Sequence, residues 1–220
     1  AEKHRQPELA RQIGLAVDNV HAPYGNTNAL WEDGIEGEAY LQTLLSCIGD
    51  CSLHGIPTSV VHITRLSIRP EVTRIGMDRV KRLVEFAEQK QVNLAIENLN
   101  SIPHLDRIYA ELSSERLGFC YDSGHEHFIH PNADCLSRYG NKLFAVHLHD
   151  NCGDSDAHLL PYDGTIEWDA VRTKLKACRE IPYLTLEVDF KREHPKSALY
   201  RGLSAAEFLA LAYARLQLLA

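Results

Sequence analysis

"LFAVHLHDNCGDSDAH", residues 143–158, decides how the rest of the chain is read. Its first four residues are continuously apolar, and the run then breaks into His147, His149, Asp150, Asp154, Asp156 and His158. A strand with one wet face alternates apolar and polar residues. A continuous apolar run instead belongs to a parallel strand covered on both faces. Such strands place their chemistry at the C-terminal end. The question is whether other strands end the same way.

Five of them do. LAVDNVH (15–21), SVVHI (59–63), NLAIEN (93–98), LGFCYD (117–122) and YLTLEV (183–188) are short apolar runs of the same kind. Helical stretches separate them: 36–54 before Gly55, 77–90, 103–112, 131–139 before Gly140, and 168–178. Met77, Val80, Leu83, Val84 and Ala87 share one face of the second. A last helix over 205–219 opens on Ser204-Ala-Ala-Glu207, a capping box. Strand–helix alternation gives right-handed βαβ units and a parallel sheet. No glycine-rich phosphate loop follows any strand, which counts against the dinucleotide-binding version. With no linker or low-complexity tract, residues 1–220 read as a single domain.

The six strands finish at His21, His62, Glu97, Asp122, His147 and Glu187. Asp, Glu and His together fill roughly one position in five, from 30 acidic residues and 12 histidines. Six such endings in six would arise by chance on the order of 1 in 10⁴, or about 1 in 100 once the freedom in placing strand ends is discounted, so the endings are read as one site. Clustered His, Asp and Glu without Lys or Arg need cations to be stable. Imidazole and carboxylate without thiolate suit Zn²⁺, Mn²⁺ or Fe²⁺. His125, three residues after Asp122, and the D-x-H pair Asp156 and His158 extend the set. Asp154 and Asp163 read as solvated loop residues.

Composition narrows the function classes. An apolar fraction of 45% with 24% charged residues is that of a globular protein, and no apolar stretch of about 18 residues spans a membrane. A net charge of −7 argues against wrapping a polyanion. The cysteines, Cys47, Cys51, Cys120, Cys135, Cys152 and Cys178, lack paired CxxC spacing and read as reduced thiols of a cytoplasmic protein.

The ordered succession HAPY (21–24), VVH (60–62), IEN (96–98), YDSGH (121–125), VHLHDN (146–151), DAHLLPYDGTIEW (156–168) and LEV (186–188) resembles the xylose-isomerase-like TIM-barrel superfamily. That group includes sugar isomerases and epimerases and apurinic-site endonucleases of the endonuclease IV type. The resemblance implies a (β/α)8 TIM barrel with one or two N-terminal βα units missing from this chain. It implies a four-ligand core of Glu97, Asp122, His147 and Glu187. The positions that bring the endonucleases to a three-zinc cluster hold His21, His62, His125, Asp156 and His158. Two departures bear on the substrate. His62-Ile-Thr-Arg65 replaces a common His-Pro-Gly, and HLHD places His149 where many members have lysine.

Two functions stay open on these residues. A metal-dependent isomerase or epimerase of a small sugar, sugar phosphate or polyol would use Glu97 and Glu187 as base and acid, with one to three ions of Zn or Mn. A multinuclear zinc phosphoester hydrolase is the alternative, and a non-catalytic binding protein of the same fold the third class. The first is the expectation, since charge and the lack of a basic, aromatic-rich groove disfavour nucleic acid. Substrate contacts are expected from His125, Arg65, His149 and Trp31, with Arg69 and Arg74 in a lid over 64–76. A homo-oligomer is compatible with all three.

Overall fold

Burying Val60, Val61, Leu94, Ala95 and Ile96 almost completely requires that their backbone N–H and C=O groups find partners, and parallel pairing supplies them. The structure, a computed structural model, describes residues 4–190, 198 and 200–219. It comprises two units, Ala1–Phe119 and Cys120–Ala220. In the first, β1 (Asn19–His21), β2 (Thr58–Val61) and β3 (Asn93–Glu97) lie side by side in chain order, all parallel. His21 is opposite Val60, and Val61 opposite Ile96. His62 and Glu97 therefore stand level, each one residue past the last pair.

The helices of this unit follow the sequence closely. After a short first helix, α1 (Gln6–Gln12), α2 (Ile35–Leu53) ends as Gly55 takes φ +62. The Gly55 N–H then donates to Ser52 O and the Ile56 N–H to Cys51 O, so the last carbonyls are satisfied. The third helix, α3 (Arg74–Lys90), buries Met77, Val80, Leu83, Val84 and Ala87, the face expected from spacing. Thr73 caps it by accepting from the Gly76 N–H. It packs on β3 while α2 packs on β2. The fourth, α4, spans Ile102–Glu111.

The loop after β1 is fixed from within. It forms a 3-10 turn, Thr27–Trp31. The buried Arg79 guanidinium of α3 donates to the carbonyls of Ala29, Leu30, Glu32 and Gly34. Gly37 gives it room, since a Cβ there would lie 2.2 Å from Arg79 Nη1. Trp31 donates from Nε1 to Ile63 O at 2.6 Å, and its ring meets His104 edge-on at 4.4 Å. The fully buried His104 ring is pushed down to a pKa of about 4, first by burial and then by the Arg69 charge.

That histidine makes stability pH-dependent. Above pH 6.5 it is neutral whether folded or not, and the full stability is present. As pH falls from 6.5 towards 4 only the unfolded chain takes the proton, so stability drops. The expected loss is about 2 kcal/mol once solvent screening is allowed for. His104→Phe should flatten the urea midpoint over this window. An unchanged pH profile in that variant would assign the acid sensitivity elsewhere.

The next strand, β4 (Leu117–Asp122), enters the second unit at Cys120, and it and β5 (Leu143–His147) are neighbours and are buried throughout. Two differences from the sequence expectation appear here. Residues 183–188 form no strand; a single parallel bridge joins Leu186 to Leu148. Two hydrogen bonds make it, Leu148 N–H to Thr185 O and Glu187 N–H to Leu148 O. The run is only half-buried, so little apolar burial favours a longer ladder. The expected helix 131–139 is shortened to α6 (Cys135–Tyr139), and a helix the sequence did not suggest, α5 (Ser123–Ile129), precedes it. Asp122 and Asp134 cap them, each accepting a backbone N–H from three residues on.

Finally, α7 (Trp168–Ala177) and α8 (Ala205–Gln217) form as expected, the latter with both bonds of its capping box. A local core of Leu159, Leu160, Tyr200, Phe208 and Ala212 anchors α8. Among the described residues no helix is long and apolar enough to cross a membrane.

Candidate metal centre

Three of the expected ligands meet in the first unit. His21 ends β1, His62 follows β2 and Glu97 ends β3, so the common register brings them to one edge. His21 Nε2 lies 3.1 Å from His62 Nε2. Glu97 Oε2 is 3.4 Å from the first and 3.2 Å from the second, and its side chain is fully buried. The His21 Nδ1 faces Ala22 O at 2.8 Å, which makes Nδ1 the protonated nitrogen and turns the Nε2 lone pair towards Glu97. Two imidazole nitrogens and a carboxylate oxygen at these separations match the edges of a tetrahedral zinc site, which are about 3.3 Å for bonds of 2.0–2.1 Å. The donor set fits a divalent ion.

The second unit gathers the others. Asp122 Oδ1 is 3.5 Å from His125 Nδ1 and 3.1 Å from His149 Nε2. Asp156 Oδ1 is 3.9 Å from His125 Nε2 and 3.7 Å from His149 Nε2. Asp156 Oδ2 is 3.2 Å from His158 Nε2, whose Nδ1 is fixed by Glu187 O at 2.8 Å. His147 Nδ1 lies 3.2 Å from Glu187 Oε2. One ligand atom from each of Asp122, His125 and His149 falls within 4.8 Å of the others, and so does one from each of His149, His158 and Glu187.

Charge in this cluster is already polarised. Burial pushes the Asp156 carboxyl up, but the His158 hydrogen bond and the charges of His125, His158 and His149 outweigh it, and Asp156 sits below the usual carboxylate range. Burial likewise opposes a charged His158, yet Asp156 and Glu187 raise it. Such an array attracts a cation and holds Asp156 ionised for it.

Three sequence expectations, for Trp31, His149 and Asp163, need correction. Trp31, expected against a substrate ring, is 1% exposed and packed in the first unit's core, where a Cβ at Gly76 would already collide with it. His149, also expected at the substrate, is fully buried among the carboxylates. Arg65, another expected substrate contact, is exposed, and its guanidinium donates to Gly25 O. Asp163, expected to be solvated, accepts from the Tyr200 hydroxyl at 2.6 Å and pairs with Arg215 of α8 at 2.9 Å. Asp154 is exposed, as is Arg69, while Arg74 begins α3 beside Asp78.

The sequence reading missed Asp150. It is fully buried and its two oxygens accept from the N–H groups of Asn151, Tyr162 and Ile166 and from Trp168 Nε1. One carboxylate thereby shapes the whole 151–168 segment that carries Asp156 and His158. Its signal was the pairing of an Asp just past a buried strand with a glycine-containing turn and a buried tryptophan. A Cβ on Gly164 would stand 2.1 Å from Asp150 Oδ1.

The arrangement is that of an α/β protein with candidate metal donors at the ends of parallel strands. The model of the family described as xylose isomerase-like TIM barrel matches residues 6–206, and the chain belongs to that family. The y4fM protein of Sinorhizobium fredii is 37% identical over 111 residues, 47% of this chain and 36% of that protein. The chain spans less than half the length of the curated relatives it matches. A D-tagatose 3-epimerase-like protein superposes with a TM-score of 0.73 at 20% identity, over 98% of this chain and 85% of the other. The IolI protein with a bound zinc atom superposes with a TM-score of 0.75 at 18% identity, over 99% and 82%. At these identities the likeness establishes the fold.

Proposed function

We propose that the chain is a metal-dependent isomerase or epimerase acting on a small sugar, sugar phosphate or polyol. The observation that carries the reading is the gathering of imidazoles and carboxylates at the strand ends, three residues in the first unit and seven in the second. Solved relatives of the same fold include a D-psicose 3-epimerase solved in the presence of D-fructose, which supports a small carbohydrate as substrate. That Glu97, Asp122, His147 and Glu187 serve one centre rests on the ordered family motif.

A divalent ion held by these residues would polarise a substrate carbonyl and its neighbouring hydroxyl, acidifying the C–H between them. The protein's part is proton transfer. Glu187 removes the proton from carbon and Glu97 returns one, the roles exchanging with the direction of reaction. His147, whose Nδ1 faces Glu187 Oε2, orients that carboxylate. His158 donates to the Glu187 carbonyl and fixes its backbone.

A second reading has an observation of its own. The His21–His62–Glu97 cluster offers a further ion position, and clustered metals suit hydrolysis of a phosphoester. The test is to strip metal with a chelator, then restore Mn²⁺, Co²⁺ or Zn²⁺ and follow interconversion of D-fructose, D-psicose and D-tagatose. Chelation is expected to cut turnover by at least about 100-fold and one of the ions to restore it. Metal-dependent cleavage of bis(p-nitrophenyl) phosphate without sugar turnover would replace the first reading by the second.

A further inference from the structure

His149 is one of the two departures of this chain from the family pattern, and the structure gives it a setting built for a ligand. Its ring is fully buried, which removes it from contact with a substrate arriving from solvent. Its backbone is clamped by one side chain: the Ser123 hydroxyl donates to His149 O at 2.8 Å and accepts from its N–H at 3.0 Å. The ring fills a slot that exists because residue 124 has no side chain. A Cβ on Gly124 would lie 1.9 Å from His149 Cε1 and 2.5 Å from Nε2. Gly124 in turn is held by Asn151 Nδ2, which donates to its carbonyl at 2.8 Å. The ring also stacks flat on His158 at 4.1 Å, with 2° between the planes. Together these contacts seat the imidazole between Gly124 and His158.

The ring is aimed at carboxylates. Nε2 is 3.1 Å from Asp122 Oδ1 and 3.7 Å from Asp156 Oδ1, bracketing the edge of about 3.3 Å expected between ligands of a tetrahedral zinc ion. The ring of His125 stands perpendicular to it, with centroids 5.9 Å apart, on the same two carboxylates. A lysine at position 149 would place a cation here and repel a metal ion. Histidine replaces that charge with a lone pair.

We propose that His149 is a metal ligand, completing with Asp122, His125 and Asp156 an ion-binding centre in the second unit. It rests on the reading of the chain as a metal-dependent enzyme, but it concerns ion binding and needs no assumption about the reaction. The consequence is a chain-specific one: HLHD creates a ligand where HLKD supplies a charge.

Zinc binding to the full chain tests it by native mass spectrometry and by NMR of the histidine ring nitrogens. On zinc addition the His149 Nε2 is expected to lose its proton and take the shift of a coordinated nitrogen. His149→Lys is expected to bind one equivalent fewer, or to bind it at least about 100-fold more weakly. A His149 ring that keeps its Nε2 proton in saturating zinc overturns the proposal, as does a lysine variant with unchanged stoichiometry and affinity. The NMR arm uses the unaltered chain, so the proposal stays testable if the variant misfolds. Sugar turnover is scored separately. Loss of an ion in a chain that turns over no sugar sustains this proposal and sinks the isomerase reading, whereas unchanged ion binding in a chain that does turn over sugar has the opposite result.

Discussion

Glu187→Gln is expected to lower turnover by about 10³-fold or more while moving the urea midpoint by the equivalent of less than about 1 kcal/mol. The two effects separate because the backbone and side chain of Glu187 do different work. Its N–H donates to Leu148 O and its carbonyl accepts from His158 Nδ1, so the local structure is made by main-chain atoms the substitution leaves in place. Its carboxylate is 38% exposed and stands 3.2 Å from His147 Nδ1. An amide of the same shape keeps the volume and loses the basicity. Steady-state kinetics on whichever ketose responds, with an unfolding curve beside it, measures both. Turnover within tenfold of the parent would take Glu187 out of the proton-transfer step.

Asp150→Ala is expected to be the most destabilising single change in the second unit, at about 3–5 kcal/mol. Four N–H donors converge on this buried carboxylate: Asn151, Tyr162, Ile166 and Trp168 Nε1. Removing it leaves all four without their acceptor in a region with little water access. The loss is also directional, because the segment it holds carries Asp156 and His158. Hydrogen exchange should quicken at Tyr162 and Ile166 before the rest of the unit. Equilibrium urea unfolding that shows a cost under about 1 kcal/mol would mean that water replaces the carboxylate, and that the segment is held by its bridge between Asp150 and Leu159 instead.

How much of this was legible in the sequence follows from which interactions are local. Continuous apolarity marks a strand buried on both faces, so β2 to β5 were readable, and so was the chemistry at their ends. The Gly55 terminus of α2 and the Ser204–Glu207 box of α8 were readable because a few neighbouring residues make them. The short α5 was not: YDSGHEHFI has no apolar periodicity, and Asp122 caps the helix while also facing His149. Asp150 and His149 owe their roles to partners up to 26 residues away, such as Ser123 against His149. Periodicity carries no record of such contacts. Trp31 failed for a related reason, since its partners Ile63 and His104 lie 32 and more residues on. The run 183–188 looked like the other strands, but its half-buried setting sustains only one bridge.

The central claim is that metal-binding residues at the strand ends move a proton beside a sugar carbonyl. Deuterium incorporation tests it most directly. The metal-loaded chain is incubated in D₂O with D-fructose, D-psicose or D-tagatose, and the recovered sugar is examined by NMR for deuterium on the carbon next to the carbonyl. The account predicts incorporation that depends on added metal, disappears with chelator and is absent in Glu187→Gln. Metal-saturated protein that leaves every sugar of the panel unlabelled, while cleaving a phosphodiester, would contradict it.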